Sequence, residues 1–463
     1  MMHFESALEF HHQGDYLNAV LNYELALLEN PSDFKVLSNL GAALQKLRRF
    51  QDALSCYDQA IAITKEYASI YNNRGVTLQE LHQLDNAISD FDRAIDLSPR
   101  YTEALVNRGF TKYLKNDFAA AVNDYMQATQ IDPNFSAAHF NLSLCQLAMG
   151  EYAQGWRNHE WRWKAVPEMS FRRFSDQQAL WHGESLQGKT ILLYAEQGLG
   201  DSIQFCRYVP LIKALGARVI LQAPNELLEL LTTLEGVDSV VSDVNDAKAY
   251  DFQCPLMSLP LVFQTELSTI PKADSYLSAN AQRTEYWRAR LREYKRLKVG
   301  LVWSGGFRSD QPKLWGLNNR RNLPVAYLEK FQHIDADFFS LQKGEPAETE
   351  LSQVLKAAWC GPVIHPYGQE FRDFADTAAF IENLDLVISV DTSCAHLAGA
   401  LGKPVWILNR FDSCWRWLIG RDDSPWYNSA RLYRQSKDGD WDSVISRVVA
   451  DLTQKTSNSK SSH

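Results

Sequence analysis

The chain has no pair of cysteines two residues apart, no long run of apolar residues and no block of basic residues. Each absence removes a class of protein. Its seven cysteines (Cys56, Cys145, Cys206, Cys254, Cys360, Cys394 and Cys414) are scattered and odd in number, which argues against a disulfide or zinc framework and leaves buried thiols. A membrane-spanning helix needs about eighteen or more consecutive apolar residues, and none occurs. The opening M-M-H-F-E-S-A-L-E-F lacks the basic flank and apolar core of a secretory signal, so a cytoplasmic location is expected. With 47 basic against 56 acidic residues the net charge is -9, which excludes a general attraction for nucleic acid or anionic lipid. What is present is an ordinary globular composition over 463 residues, enough for two to four domains by the usual scaling.

A repeat dominates the first third. Ala19, Ala53, Ala87 and Ala121 are spaced by 34, as are Tyr23, Tyr57, Phe91 and Tyr125, then Ala26, Ala60, Ala94 and Ala128, and Gly41, Gly75 and Gly109. Pro31, Pro99 and Pro133 close three units. The period and its small residues resemble the tetratricopeptide repeat, in which two helices pack closely where Gly or Ala lies between them. Gly150-Glu151-Tyr152 repeats Gly14-Asp15-Tyr16, so an atypical fifth unit with Gly155 and His159 in the small and aromatic places is expected as a cap, making an α-solenoid over 1–165. Asn39, Asn73, Asn107 and Asn141 share one position, on the first helix of each unit. A row of amides along a concave face pairs well with extended backbone, and the row resembles the asparagine ladder of O-linked N-acetylglucosamine transferases, which holds polypeptide. The plainer alternative is that these amides cap or bridge within the array. At the junction, Trp156, Trp161 and Trp163 stand among arginines, where a docking surface suits an acidic chain better than base stacking. An ordered connector over 166–188 follows.

Beyond it, apolar runs alternate with helical spacing, which implies α/β architecture with parallel sheets in two halves, 189–295 and 296–453, and a disordered tail over 454–463. Two turns stand out. In T-I-L-L-Y-A-E-Q-G-L-G-D-S-I, a strand meets Gly198 and Gly200 and then a helix, which puts Asp201 at the carboxyl end of a sheet. There it is a candidate general base towards a hydroxyl, or a cap of the helix that follows. In L-D-L-V-I-S-V-D-T-S-C-A-H, Asp391, Thr392 and Ser393 end a buried strand and open a helix suited to a phosphate, with His396 one turn further on. A further glycine turn, Ser304-Gly305-Gly306, leads to a polar loop with Lys313, Arg320 and Arg321, candidates for charge compensation of a diphosphate. The charged segment Glu285 to Arg296 separates the halves as a hinge helix. G-L-G-D-S-I lacks the third glycine of a dinucleotide fingerprint, which disfavours an oxidoreductase. Asp335-Ala336-Asp337 precedes a strand, and so is discounted as a metal motif.

On Gly198–Asp201 and Asp391–His396, with Gly402-Lys403-Pro404 after them, residues 188 to about 452 resemble glycosyltransferase family 9, the ADP-heptose lipopolysaccharide heptosyltransferase-like proteins. Together with the repeats, the whole chain resembles bacterial tetratricopeptide proteins carrying such a domain. The resemblance implies a GT-B arrangement of two Rossmann-like halves, with Asp201 as base on the acceptor side and Asp391, Thr392 and His396 around a nucleotide-diphosphate sugar. It implies an inverting displacement without metal or cofactor, and a donor-contacting acid at Glu345 or Glu348. Ser393 departs from the Gly or Ala usual there. The lipopolysaccharide enzymes lack the repeats, so neither heptose nor a lipid acceptor is implied, and the repeat array is expected to recruit a polypeptide acceptor or partner. The rival is a repeat scaffold with an inactive transferase domain.

Overall fold

The structure is a computed structural model describing residues 2–170, 179–247, 249–306, 315–356 and 359–460. The chain divides into two compact units, Met1–Gln146 and Leu147–His463. The first is built from antiparallel helix pairs: α1 (Met2–Gln13), α2 (Tyr16–Glu29), α3 (Phe34–Lys46), α4 (Phe50–Ile63), α5 (Ala68–Glu80), α6 (Leu84–Leu97), α7 (Thr102–Leu114), α8 (Phe118–Ile131) and α9 (Ser136–Met149). Several starts are set by an aspartate. Asp33 accepts from Lys35 N at 3.0 Å and Val36 N at 3.3 Å, and Asp15 and Asp117 cap α2 and α8 in the same manner.

The glycine and aromatic columns of the repeat are two sides of one contact. A Cβ on Gly41, Gly75 or Gly109 would come within 2.8, 2.7 and 2.8 Å of Tyr57, Phe91 and Tyr125 respectively. Each ring is wholly or almost wholly buried, and the glycine supplies the room. A second column is conformational. Gly14, Arg48, His82, Asn116 and Gly150 all have φ between 60° and 82°, so the turn within each pair needs a left-handed residue, at a cost wherever it is not glycine.

The second unit holds two parallel sheets with helices, the expected α/β class. The first sheet comprises β1 (Ala179–Leu180), β2 (Thr190–Tyr194), β3 (Arg218–Gln222), β4 (Ser239–Val241) and β5 (Phe252–Pro255), in the order β1-β5-β2-β3-β4. The second comprises β6 (Leu297–Val302), β7 (Ala336–Ser340), β8 (Ile364–His365), β9 (Leu386–Val390), β10 (Val405–Asn409) and β11 (Ala430–Arg434), in the order β11-β10-β9-β6-β7-β8. Counted from β6, that is a doubly wound order whose direction reverses between β6 and β9, the place where such sheets open a crevice beyond their carboxyl ends. In the first sheet the reversal lies between β2 and β5. The turns singled out in the sequence follow β2, β6 and β9, so all three border a reversal.

Four expected boundaries are corrected. The compact units divide after Gln146 rather than at 165, because α10 (Tyr152–His159) packs into the α/β unit through Trp156, whose indole N–H donates to Thr265 O at 3.2 Å. The connector contains a strand, since β1 pairs with β5; its residues 171–178 lie outside the described residues. The hinge helix is Ala281–Arg290, earlier than expected. The segment taken as tail is helical to Lys460, because Val444, Ile445, Val448 and Leu452 bury one face of the helix Trp441–Lys460 and nucleate it beyond 453. Among the described residues no helix is long and apolar enough to cross a membrane.

Candidate functional site

The helix Leu199–Phe205 follows β2 and the helix Ser393–Ala400 follows β9, and these two helices pack together. Contact is close because one residue is glycine: a Cβ on Gly200 would lie 2.8 Å from Cδ2 of His396. Gly200 is therefore needed for packing across the two halves. Gly198 occupies the cap position, and Asp201 reaches back to accept from its N–H at 3.0 Å through Oδ2. That is part of the capping alternative. The other oxygen, Oδ1, forms an ion pair with Nη2 of Arg416.

Arg416 comes from the loop after β10, where Cys414-Trp415-Arg416-Trp417 reaches the first half. Its guanidinium lies over the Trp415 ring at 4.3 Å and donates through Nη1 to Cys414 Sγ at 3.1 Å, while Nε is buried with no partner among the described residues. Trp417, fully buried, stacks on His396 with ring centroids 5.1 Å apart and an interplanar angle of 22°. On its other side His396 meets the Tyr427 hydroxyl, 2.9 Å from Nδ1, and its Nε2 is 3.9 Å from Asp391 Oδ1. Burial pushes the His396 imidazole down to about 4, against the pull of Asp391, so the ring is neutral at physiological pH.

On the second sheet, Thr392 rather than Asp391 caps the Ser393 helix, and the Thr392 side chain makes no capping bond. Its hydroxyl is 2.9 Å from Ser389 Oγ, so the first backbone N–H groups of the helix, with Ser393 in its first turn, receive no bond from the Thr392 side chain. Asp391 is thus not explained as a cap. Gly305 lets Arg321 approach, since a Cβ there would lie 1.9 Å from Arg321 Nη2. Arg321 in turn donates to Asp391 O at 3.4 Å and to Asn318 Oδ1 at 2.7 Å. The turn itself is held by Gln342, which accepts from Ser304 N at 3.1 Å, and by Asn322, which accepts from Gly305 N at 2.9 Å. Gly306 is exposed with open space around it. Asn409 ends β10, one place beyond the Leu408–Val390 pair, and its amide is buried with neither atom partnered among the described residues.

Other candidates sit elsewhere. Arg320 pairs with Asp412 at 3.0 Å. Glu348 and Glu345 accept from Gly344 N at 2.6 Å and Thr349 N at 3.3 Å, around the start of the helix Ala347–Lys356. Asp337 is held by Arg296 through a 2.6 Å contact. Lys313 lies outside the described residues. In the first unit, Asn39, Asn73, Asn107 and Asn141 are all half-buried at equivalent places, but Asn107 donates to Asn72 Oδ1 at 2.9 Å and Asn72 donates to Asn73 Oδ1 at 3.3 Å. Two amides of the row are therefore bridged within the array.

Sequence reasoning missed Arg416, Trp417 and Tyr427, whose roles arise from partners far along the chain. It also missed a buried cluster behind the β2 turn. Arg162, wholly buried, donates to Glu160 Oε1 at 2.6 Å, Glu196 Oε1 at 3.2 Å and Ser258 Oγ at 2.7 Å. Burial pushes the Glu196 carboxyl up to about 7 against the pull of Arg162. The three tryptophans near Arg162 were a visible hint of burial, and Trp156 meets Trp415, Phe205 and Trp426 edge-on.

Residues 34–67, 68–101 and 102–135 each match the tetratricopeptide repeat family, so this stretch is an array of such repeats. A protein named FlbA from Caulobacter vibrioides is 27% identical over 328 residues, covering 66% of this chain and 53% of its own length. The chain thus spans about half the length of that relative. Similar solved structures include MamA, 18% identical with a TM-score of 0.32, covering 38% of this chain and 95% of MamA. A thermophilic TPR protein of Thermus thermophilus is 22% identical with a TM-score of 0.33, over 37% of this chain and 93% of its own. YrrB, described as a TPR protein with an unusual peptide-binding site, is 18% identical with a TM-score of 0.30, over 36% of this chain and 85% of its own.

Proposed function

We propose that the α/β unit is a GT-B glycosyltransferase that moves a sugar from a nucleotide diphosphate to a hydroxyl acceptor, and that the repeats recruit a peptide or protein. The observation that supports it best is the packing of the Leu199–Phe205 helix, which carries Asp201, against the Ser393–Ala400 helix through Gly200 and His396, at the carboxyl ends of two doubly wound sheets. Nucleotide diphosphate would lie at the N-terminus of the Ser393 helix, whose side-chain cap is missing, with Arg321 nearby and Asp391, Thr392, Ser304 and Gly305 around it. In the transfer the acceptor oxygen bonds to the anomeric carbon as the bond from that carbon to the diphosphate breaks. The acceptor proton passes to Asp201, and the electron pair leaves with the diphosphate.

A scaffold with an inactive transferase fold is the second reading, and one observation favours it: both oxygens of Asp201 are engaged, by Gly198 and by Arg416. Purified full-length protein screened against nucleotide sugars, with release of nucleoside diphosphate as readout, separates the two. Release that depends on Asp201 supports the transferase. If no sugar nucleotide is consumed and none raises Tm, the scaffold reading stands.

A further inference from the structure

The contact between Arg416 and Asp201 is poorly matched for a permanent ion pair. Only one guanidinium nitrogen meets the carboxylate, whereas arginine–carboxylate pairs that are kept for strength are commonly bidentate. Arg416 Nε is buried with no partner among the described residues, a loss that a second anion would relieve. Asp201 is the fixed member, tied to its own helix by Gly198 N at 3.0 Å. Arg416 rides on a loop in which Leu418 is held at φ 53°, a left-handed conformation that costs energy in a leucine. Its neighbour Trp417 stacks on His396, whose Nε2 is 3.9 Å from Asp391 Oδ1, so the loop that carries Arg416 also borders the second half of the site. On β10, next to β9, the Asn409 amide is 1% exposed and neither of its polar atoms has a partner among the described residues.

We propose that Arg416 is a two-position gate, bound to Asp201 when the site holds no anion and transferred to the diphosphate when a donor enters, so that Asp201 becomes a base only with donor in place. The proposal rests on the donor reading given above. It explains why a general base would be tied up in the resting protein: without a diphosphate the pair gives the guanidinium and the carboxylate each a partner, and the entering diphosphate takes over that role for the arginine. Arg416 is in this scheme both an anion ligand and the positioning residue for Asp201.

The gate makes diphosphate and Asp201 competitors for one guanidinium, and a double-mutant cycle reads that competition. Inorganic pyrophosphate, ADP, GDP, UDP and dTDP are titrated calorimetrically into full-length wild type, Asp201→Asn, Arg416→Ala and the double variant. Asp201→Asn should tighten diphosphate binding by about tenfold, because an amide holds the arginine less firmly than a carboxylate. In the Arg416→Ala background the same change should gain little. Arg416→Gln replaces Arg416→Ala if the latter does not fold. A tenfold gain that persists without Arg416 reflects removal of a negative charge and overturns the gate. Unchanged affinity in Asp201→Asn overturns it as well, with the donor reading intact. If none of the five probes binds wild type or Asp201→Asn, the donor reading fails and the gate falls with it.

Discussion

In the repeat array, the contacts that matter are announced nearby. Arg74 pairs with Asp90 and Asp58, each sixteen residues away, and Arg108 repeats the arrangement with Asp124 and Asp92 one period later. In the α/β unit the decisive contact, Asp201 with Arg416, spans 215 positions. Periodic sequence therefore exposes its own packing, because a column samples the same environment three or four times. A site assembled from the ends of separate strands gives only one end of each contact at a time.

The sharpest way to test that difference is to cut the long-range site. Asp201→Asn should lower transfer by about 10² to 10⁴, the usual contribution of a positioned base, while the fold survives because the amide keeps the shape. Rates of nucleoside diphosphate release, with Tm as control, check this. Retained transfer in the variant would remove Asp201 from the chemistry and leave it as a helix cap.

A second break uses pH. The folded protein keeps His396 neutral, whereas the unfolded chain binds a proton there below the ordinary value of 6.5. Stability from this site is therefore present above 6.5 and lost as pH falls towards about 4, by at most about 3 kcal/mol. Glu196 acts in the opposite sense: its carboxyl, raised to about 7, contributes stability below the ordinary 4.5 that is lost as pH rises through 7. Comparing wild type with His396→Gln in urea from pH 7 to pH 4.5 isolates the first. The variant should lose less stability than wild type on acidification. Parallel curves would show that His396 is not held neutral by burial.

For the array, the matching tests are local. Gly75→Ala forces a methyl against Phe91, 2.7 Å away, and should destabilise the protein by about 1–3 kcal/mol without altering nucleotide binding. His82→Gly should stabilise by up to about 1 kcal/mol, because His82 holds φ at 60° in the turn where the first and fifth units have glycine. Denaturant midpoints measure both. A stabilising effect of similar size from a glycine at the α-helical position Asn86 would show that the turn conformation is not the cause.

These cases also show what the sequence made legible. The array was readable to its period and to the small residues where helices approach, whereas the pairing of each glycine with a ring, Gly75 with Phe91 among them, is shown by the structure. The strands β2, β6 and β9 and the turns after them were readable from apolar runs and glycines, so Asp201, Ser304 and Asp391 were located correctly at strand ends. The tail was misread because residues 454–460 are polar, and the helix there continues from the apolar face of Val444, Val448 and Leu452. The partner of Asp201 was not readable at all. Nothing about Trp415-Arg416-Trp417 as a local string says which carboxylate the arginine will meet, because that is decided by how two sheets come together.

The last test bears on the asparagine row, where the repeat pattern pointed to a function and the structure qualifies it. Asn73 and Asn107 are bridged by Asn72, itself buried, so replacing Asn107 leaves the Asn72 oxygen short of its donor. Asn107→Ala should therefore cost stability, by about 1–3 kcal/mol for an unsatisfied buried group. No such bridge holds Asn39 or Asn141 among the described residues. If the row receives extended polypeptide, Asn39→Ala and Asn141→Ala should each weaken the tightest binder from a peptide array by about threefold to tenfold, with Tm unchanged. Loss of peptide binding only in Asn107→Ala, together with a fall in Tm, would mean that the row is a bracing device of the array and that its recurrence reflects packing between neighbouring repeats.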